Sequence, residues 1–416
     1  MYRWDGNWPA AFGPVCPRLI RPSLLAFLLF LTFSAGPAHA HDPSAWGGLF
    51  RSRDDGATWM SVNRGYYLSA AISLAVSPVD RNHLLLGTES GLFRSRNGGR
   101  DWTVEAPSVV VGSVFAAAFA SNGRWALIST GLGLFHRRED DDWRPVWAPQ
   151  GAAPARAIAA SSKAGTFYLA GWTGLYRSDD AGMTWSNAAY GLPDDPATAL
   201  LPARSAPDTL FAIVQGQPWA SVDGGRHWAK RGNGVFSTNL EALAEDLRRP
   251  ARRWAAGGDR LFRSDDGGAT WDVVGASFPE SNTAVRGIAA SDEAIVLTTD
   301  RGLYRSVDEA VSWVPMVDNL PAHLEAGSLV ADRDDPDTSY AGFSLIPYAE
   351  LWRRAVDHEG AFARVGASSL VGSIVLLILV GVGAAATLRG LGHYYRRSVP
   401  RGRNARDVRT EGNTLR

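Results

Sequence analysis

Seven tryptophans recur along the chain at almost constant intervals. Successive members are 41 to 43 residues apart, and the series is Trp59, Trp102, Trp143, Trp185, Trp228, Trp271 and Trp313. A fixed period of this length indicates repeated supersecondary units, each too small to bury its apolar face alone. We therefore expect the 416 residues to form mainly one repeat architecture rather than several unrelated domains.

A four-residue phrase precedes most of these tryptophans. It consists of leucine, an aromatic residue, arginine and serine, and its copies begin at Leu49, Leu92, Leu175, Leu261 and Leu303. The alternation of apolar and polar residues is typical of a β-strand. Two further short strands are expected upstream of each phrase, for example at residues 72–76 and 84–88. Four strands in about 43 residues predict one blade of a β-propeller.

Between phrase and tryptophan lies a turn of the form S-x-D-x-G-x-T-W. An aspartate in such a turn accepts hydrogen bonds from nearby backbone amides, the serine adds a hydroxyl partner, and glycine permits positive φ. The tryptophan is expected to pack between neighbouring sheets. We therefore interpret these residues as structural; the complete copies contain Ser52, Asp54, Gly56 and Trp59, then Ser178, Asp180, Gly182 and Trp185, then Ser264, Asp266, Gly268 and Trp271.

Other copies depart from this pattern. Asn97 replaces the aspartate of the second copy, Ala310 replaces the glycine of the seventh, and the third, at residues 137–142, is shorter and strongly acidic. We also predict a degenerate last copy that begins at Leu351 and ends in Phe362 instead of tryptophan. End units of repeat proteins often degenerate because they meet different neighbours.

The number of blades follows from where the repeats begin and end. Seven units are expected to end near residues 105, 147, 188, 230, 274, 316 and 365, and residues 47–62 supply two further outer strands. That pair either completes the ring by joining the C-terminal strands or forms an incomplete eighth blade. We predict an all-β, seven-bladed propeller of four-stranded antiparallel blades at residues 41–365, with eight blades as the alternative.

The N-terminal region resembles a secretory signal. Arg18 and Arg21 precede an apolar run at residues 24–33, and an A-x-A cleavage site ends at Ala40. We predict that residues 1–40 form a signal peptide. Cys16, the one cysteine, would be removed with it, which excludes thiol chemistry in the mature protein.

Residues 366–388 carry no charge, and 23 helical residues would extend about 34 Å, enough to span a bilayer core. The segment that follows, 389–416, contains eight arginines and two acidic residues, which predicts a cytoplasmic tail. We therefore expect a single transmembrane helix in the inner membrane, with the propeller on its periplasmic or extracellular side.

The repeat resembles the Asp-box, or bacterial neuraminidase repeat, over nearly all of residues 46–365. In its overall style it is similar to the photosystem II stability/assembly factor-like and sortilin-like bacterial propellers. The resemblance implies a non-enzymatic platform that binds or assembles proteins. Sortilins add a cysteine-rich module after the propeller, whereas this chain has one cysteine, so no sorting-receptor role is inferred.

The sequence gives little support for other functions. Basic and acidic residues balance at 42 each, which argues against nucleic-acid binding. The histidines are scattered without ligand spacing, so we predict no metal site and no cofactor.

The F-R-I-P element of sialidases is missing. A glycoside hydrolase or carbohydrate-binding propeller stays open as the alternative, because it needs only two separated carboxylates; the candidates are Glu89, Asp195, Glu241, Asp259 and Asp300.

Propeller topology narrows the search for a binding surface. The loops between second and third strands and those between blades share one face, opposite to the serine–aspartate turns. Tyrosine, tryptophan and arginine dominate binding hot spots. Residues 342–350 form an apolar loop, expected either to meet a partner or lipid or to pack beneath the last blade. Our candidates for binding an envelope protein, or a glycan, are Tyr66, Tyr67, Glu89, Trp172, Gln215, Arg260, Arg301 and His323.

Overall fold

The computed structural model describes residues 47–364 apart from residues 64, 65, 67, 233–235, 237, 281, 282 and 322. The predicted signal peptide, the predicted transmembrane segment 366–388, the tail and Tyr67 therefore lie outside the described residues. Within the described part of the chain, no helix combines the length and apolarity needed to cross a membrane.

Within the described residues, twenty-eight strands form seven four-stranded antiparallel sheets. Six sheets consist of four consecutive strands, and we number these blades 1 to 6. The bounds, blade by blade, are β3 (Ala71–Val76), β4 (Leu84–Thr88), β5 (Leu92–Ser95) and β6 (Thr103–Glu105); β7 (Val114–Phe119), β8 (Trp125–Thr130), β9 (Gly133–Arg138) and β10 (Arg144–Val146); β11 (Ala157–Ala160), β12 (Phe167–Ala170), β13 (Leu175–Ser178) and β14 (Ser186–Asn187); β15 (Ala197–Pro202), β16 (Leu210–Val214), β17 (Gln217–Ser221) and β18 (Ala229–Lys230); β19 (Ala242–Glu245), β20 (Arg253–Gly257), β21 (Arg260–Ser264) and β22 (Asp272–Val274); β23 (Val285–Ala290), β24 (Ile295–Thr299), β25 (Gly302–Ser306) and β26 (Val314–Met316).

Blade 7 combines both ends of the described chain. Its strands run in the order β2 (Met60–Ser61), β1 (Gly48–Ser52), β28 (Ser339–Ser344) and β27 (Glu325–Ala331). Phe50 pairs with Ala341 across the junction, and its ring meets that of Phe343 edge-on at 5.2 Å. The prediction of seven blades is confirmed, and the N-terminal pair completes the ring rather than starting an eighth blade.

The segment after β28 was predicted wrongly. Residues expected to form a degenerate hairpin instead form a helix, α1 (Tyr348–Arg364), and the strands of the ring end at Ser344. Apolar side chains recur at positions 348, 351, 352, 355 and 356, which is the spacing of one helical face. Pro347 immediately precedes the helix, and its carbonyl accepts the amides of Glu350 and Leu351.

Each blade packs against both of its neighbours, so its middle strands are buried on both faces. In β1, Leu49 belongs to the apolar cluster with Phe93 and Trp102 of blade 1. The next residue, Phe50, belongs to the cluster with Leu303 of blade 6. Since neighbouring strand residues point to opposite faces, a single phrase holds two interfaces together.

Candidate functional site

The propeller has two distinct faces. Because the strands of each blade are antiparallel, the turns between second and third strands share a side with the loops between blades. We call this side the cap face, since α1 begins there after β28, and the opposite side the hairpin face. The hairpin face carries the turns between third and fourth strands.

Six turns on the hairpin face share one hydrogen-bond pattern. In each, the serine hydroxyl accepts the backbone amide four residues later at 2.8–2.9 Å. The aspartate, or Asn97 in blade 1, accepts the amide four residues beyond itself at the same range of distances. Ala310 stands where five copies have glycine, and it adopts a φ of 67°, in the left-handed region. We refer to these turns as the serine–aspartate hairpins.

Blade 2 replaces this pattern with buried ionic contacts. Arg137 occupies the serine position, is 2% exposed, and donates to Glu105 at 2.5 Å. Trp143 donates to the same carboxylate at 3.1 Å, and Arg94 lies 2.9 Å from its other oxygen. In this copy, ion pairs and a hydrogen bond to the Glu105 carboxylate therefore stabilise the turn in place of the serine and aspartate hydrogen bonds.

The arginines of the strand phrase also share a role. Five of them reach into the hairpin of the following blade, where they contact backbone carbonyls or acidic side chains. The contacts are Arg51 to Gly98 at 2.6 Å, Arg94 to Asp140 at 3.0 Å, Arg177 to Gly224 at 2.9 Å, Arg263 to Glu309 at 3.5 Å, and Arg305 to Asp55 at 2.7 Å. These guanidinium groups tie neighbouring blades together at five of the seven junctions.

The structure distributes the predicted binding residues around the ring instead of bringing them together. Tyr66 and His323 are exposed in loops between blades. The other described candidates pair with local groups. Glu89 accepts the Ser69 hydroxyl, Gln215 donates to Asp195, Arg260 lies 3.8 Å from Asp259, Arg301 donates to Glu280 at 2.6 Å, and the Trp172 indole donates to the Ala153 carbonyl at 3.0 Å.

Three large apolar side chains that sequence reasoning passed over are exposed beside blade 3. Leu132, in the second turn of blade 2, is 74% exposed. Trp147, in the loop from blade 2 to blade 3, is 68% exposed, and Tyr190, in the loop from blade 3 to blade 4, is 73% exposed. Tyr190 also lines a groove of about 380 Å³ with Thr173 and Gly174. Trp147 could have been noticed, because it follows Trp143 by four residues and stands outside the repeat register.

A cavity of about 470 Å³ occupies the central channel beneath α1. It is lined by the first strand of each blade or the one or two residues before it, by Ser344 at the end of β28, and by the buried face of the helix. Trp352 and Tyr348 of α1 belong to the same apolar cluster as Ile72 and Phe115 of blades 1 and 2. The apolar loop predicted at 342–350 is therefore resolved as the end of β28 and the start of a helix packed over the channel.

Charged groups lie among these apolar walls. The guanidinium of Arg156 is stacked 4.3 Å above the Trp352 ring, and burial lowers its pKa. Arg286 donates to Glu325 at 2.7 Å. Burial raises the pKa of Glu241, while the nearby Arg286 opposes that shift. Of the five carboxylates considered for a glycosidase, Glu241 is the one that lines the channel.

Comparison with known proteins identifies the fold. No protein-family model matches the chain, and no curated protein matches it. Solved structures do. A structure described as YCF48 bound to D1 peptide is 17% identical, covers 67% of this chain and 95% of its own, and has a TM-score of 0.52. YCF48 from Cyanidioschyzon merolae is 12% identical, with 69% and 99% coverage and a TM-score of 0.52.

A second group of similar structures comes from glycoside hydrolases. The GH74 xyloglucanase from Xanthomonas campestris is 15% identical and has a TM-score of 0.52. The alignment covers 71% of this chain but only 52% of the xyloglucanase chain. At such identities the likeness is one of fold, so activity has to be argued from the residues of this chain.

Proposed function

We propose that this chain is a non-enzymatic binding platform, held at a membrane by residues 366–388, whose propeller binds an envelope protein on the periplasmic or extracellular side. The observation that carries the proposal is the exposure of Leu132, Trp147 and Tyr190 in neighbouring loops around blade 3. Exposed aromatic and large aliphatic side chains on rigidly supported loops are typical of protein-binding surfaces.

The comparison with solved structures supports the same function. YCF48, which has a similar fold, is described in complex with a peptide of D1. A propeller of this kind is therefore able to bind a protein segment. The exposed candidates Tyr66, Gln215, Arg301 and His323 belong to turns and loops of the same face but of other blades, so we propose them as binding positions apart from the group around blade 3.

A glycoside hydrolase is the weaker alternative. Such an enzyme requires two carboxylates that face the substrate, one of them acting as an acid. Glu241 has a raised pKa, as an acid would, but Glu325 is held by Arg286. Moreover, α1 covers the channel beside Ile72 and Phe115, where a polysaccharide would have to enter.

Photo-crosslinking of the full-length membrane protein in cells tests the platform. We place benzoylphenylalanine at Leu132 on the cap face and, as a matched control, at Val311 in the hairpin of blade 6, which is 64% exposed. The expected result is a discrete adduct from position 132 that disappears in the Tyr190→Ala variant, with none from position 311. Adducts from position 311 alone, or from neither position, would contradict the proposal.

A further inference from the structure

Arg156 is half-buried in the wall of the channel and, among the described residues, has no anionic partner. Arg137 and Arg253, which are more deeply buried at 2% and 3% exposed, pair with Glu105 and Glu245. Among the residues that the structure describes, no carboxylate lies within 4.0 Å of the Arg156 guanidinium, and its Nε is buried without a hydrogen-bond partner. A half-buried charge without compensation destabilises the protein unless something else supplies the opposite charge.

The charges nearest to Arg156 do not supply it. Arg286 carries the same sign, and its charge helps burial to lower the pKa of Arg156. The carboxylates Glu325 and Glu241 lie near Arg286, where the first forms an ion pair and the second feels its field. This side of the channel therefore has an excess of positive charge at Arg156.

The walls around Arg156 favour an organic anion over an inorganic one. Ile72, Phe115 and Ile158 from the blades, with Tyr348 and Trp352 from α1, give the cavity large apolar surfaces. Its volume of about 470 Å³ falls in the range of small-molecule sites. A planar guanidinium matches the geometry of a carboxylate and binds it through two parallel hydrogen bonds.

We propose that the channel beneath α1 is a binding site for a carboxylate carried on an apolar body. Arg156 binds the carboxylate, and the body packs against Phe115 and Trp352. The carboxylate has two possible sources, a free small acid or the C-terminal end of a protein segment. The second source rests on the function proposed above, whereas the first does not.

Fluorine NMR of a small ligand tests the site in the full-length protein solubilised in detergent. The probe is fluorophenylpropanoate, and its neutral control is fluorophenylpropanamide. We expect the resonance of the acid, but not of the amide, to broaden on addition of protein. Arg156→Met should weaken binding at least about tenfold, because the long apolar side chain keeps the packing on Trp352 but cannot bind a carboxylate. Arg226→Met, which alters an exposed arginine in the hairpin of blade 4, outside the channel, should leave binding unchanged.

A second arm distinguishes the sources. The probe acid competes with the tripeptide Ala-Ala-Phe bearing a free or an amidated C-terminus. Displacement by the free peptide alone supports a chain end as the ligand, and binding of the small acid without displacement supports a free acid. Equal binding of acid and amide, or wild-type binding by Arg156→Met, would overturn the site. Crosslinking at Leu132 does not involve Arg156, so its failure removes only the chain-end source, and failure of binding at Arg156 leaves the platform proposal standing.

The thermal stability of Arg156→Met distinguishes a ligand-binding role of Arg156 from a purely structural one. If the charge of Arg156 is compensated only by a bound anion, its replacement removes an uncompensated charge. The melting temperature of the ligand-free protein should then stay the same or rise. A marked fall would mean that Arg156 is a structural group and would overturn the proposal. Arg156→Lys, which keeps the charge but not the fork, should bind the acid with intermediate affinity.

Discussion

At the scale of single residues, each serine–aspartate hairpin uses two side chains to satisfy backbone amides that the tight turn leaves without strand partners. Blade 1 reaches the same result with exchanged chemistry: Asn97 accepts the amide of Asp101 and donates its own amide group to the Asp101 carboxylate. In blade 5 the donor is the Thr270 hydroxyl and the acceptor is Asp266. Acceptor position, rather than charge, is the shared requirement.

Hairpins that use an aspartate rather than an asparagine as the acceptor should make the stability of the protein depend on pH. Hydrogen bonds from the Thr270 hydroxyl and amide lower the pKa of Asp266 from 3.8 to about 2. Because the folded pKa is the lower one, this stabilisation is present above the ordinary pKa and is lost as pH falls through about 2. We expect the urea concentration at the unfolding midpoint of the wild type to decrease as pH is lowered from 3.8 to about 2. The midpoint of Asp266→Asn should decrease less steeply over the same range.

The control for this experiment is Asp272→Asn, which alters an exposed aspartate in the neighbouring outer strand. Its midpoints should follow the wild-type slope. Identical slopes for Asp266→Asn and the wild type would mean that the hairpin carboxylate is not linked to folding in this range.

At the scale of elements, α1 is the part of the described chain that departs from the repeat. Its inner face packs Leu351 and Trp352 against the first strands of blades 1 and 2, while Glu350, Arg353 and Arg354 form ion pairs on its solvent side. The helix therefore depends mainly on one apolar contact area, to which the Tyr348 hydroxyl adds a hydrogen bond to the Arg156 carbonyl at 3.4 Å.

Trp352→Ala should release the helix without opening the blades. Removing a buried tryptophan typically costs about 3–5 kcal/mol, which is more than so small an interface is expected to withstand. We expect hydrogen exchange of α1 amides to accelerate strongly while the amides of β3 and β7 stay protected. Asp357→Ala, on the exposed side, is the matched control. Slow exchange of α1 in Trp352→Ala would contradict this account.

The error at α1 has a specific cause. Leu351, Trp352 and Arg353 repeat the beginning of the strand phrase, but Arg354 follows where the phrase has serine. Arg137 fills the same position in blade 2, but it is held there by Glu105, whereas Arg354 pairs with Glu350 within the helix. The helical spacing of apolar residues at 348, 351, 352, 355 and 356 was therefore the better signal. The interval from Trp313 to Phe362, 49 residues, also breaks the period.

The blade pattern could be predicted because it is local: phrase, turn and tryptophan lie within about a dozen residues. The channel could not. Arg156 and Arg286 lie on or next to first strands, which carry no repeated phrase, and they are 130 positions apart in the chain. Only closure of the ring makes them line the same cavity, together with a helix from a third region.

At the scale of the whole molecule, blade 7 closes the ring by pairing strands from opposite ends of the propeller sequence. Arg305 adds a contact from blade 6 to the Asp55 carbonyl, and Arg51 adds one from blade 7 to the Gly98 carbonyl of blade 1. Both junctions of the composite blade are therefore tied at the hairpin face.

Phe50→Ala should weaken this closure more than the equivalent change elsewhere. Phe50 and Phe262 occupy the same phrase position and are both 0% exposed, but Phe262 belongs to a blade of four consecutive strands. Each change should cost about 3–5 kcal/mol of stability. We expect Phe50→Ala to unfold faster in stopped-flow urea experiments than Phe262→Ala, since its blade has no covalent turn between β1 and β28. Equal unfolding rates would show that closure is not the weak point.

The composite blade also fixes an order of events during synthesis. The hairpin of β1 and β2 leaves the ribosome before the other strands of the propeller, yet its partner β28 begins only at Ser339, so nearly the whole propeller must be made before the two can meet. Until then one edge of β1, which bears Leu49 and Phe50, is unpaired. Such an edge can pair wrongly with other chains and cause aggregation. Correct folding of the nascent chain therefore requires that the free edge of β1 be protected until β28 is made, and slow translation lengthens the time for which that edge is exposed.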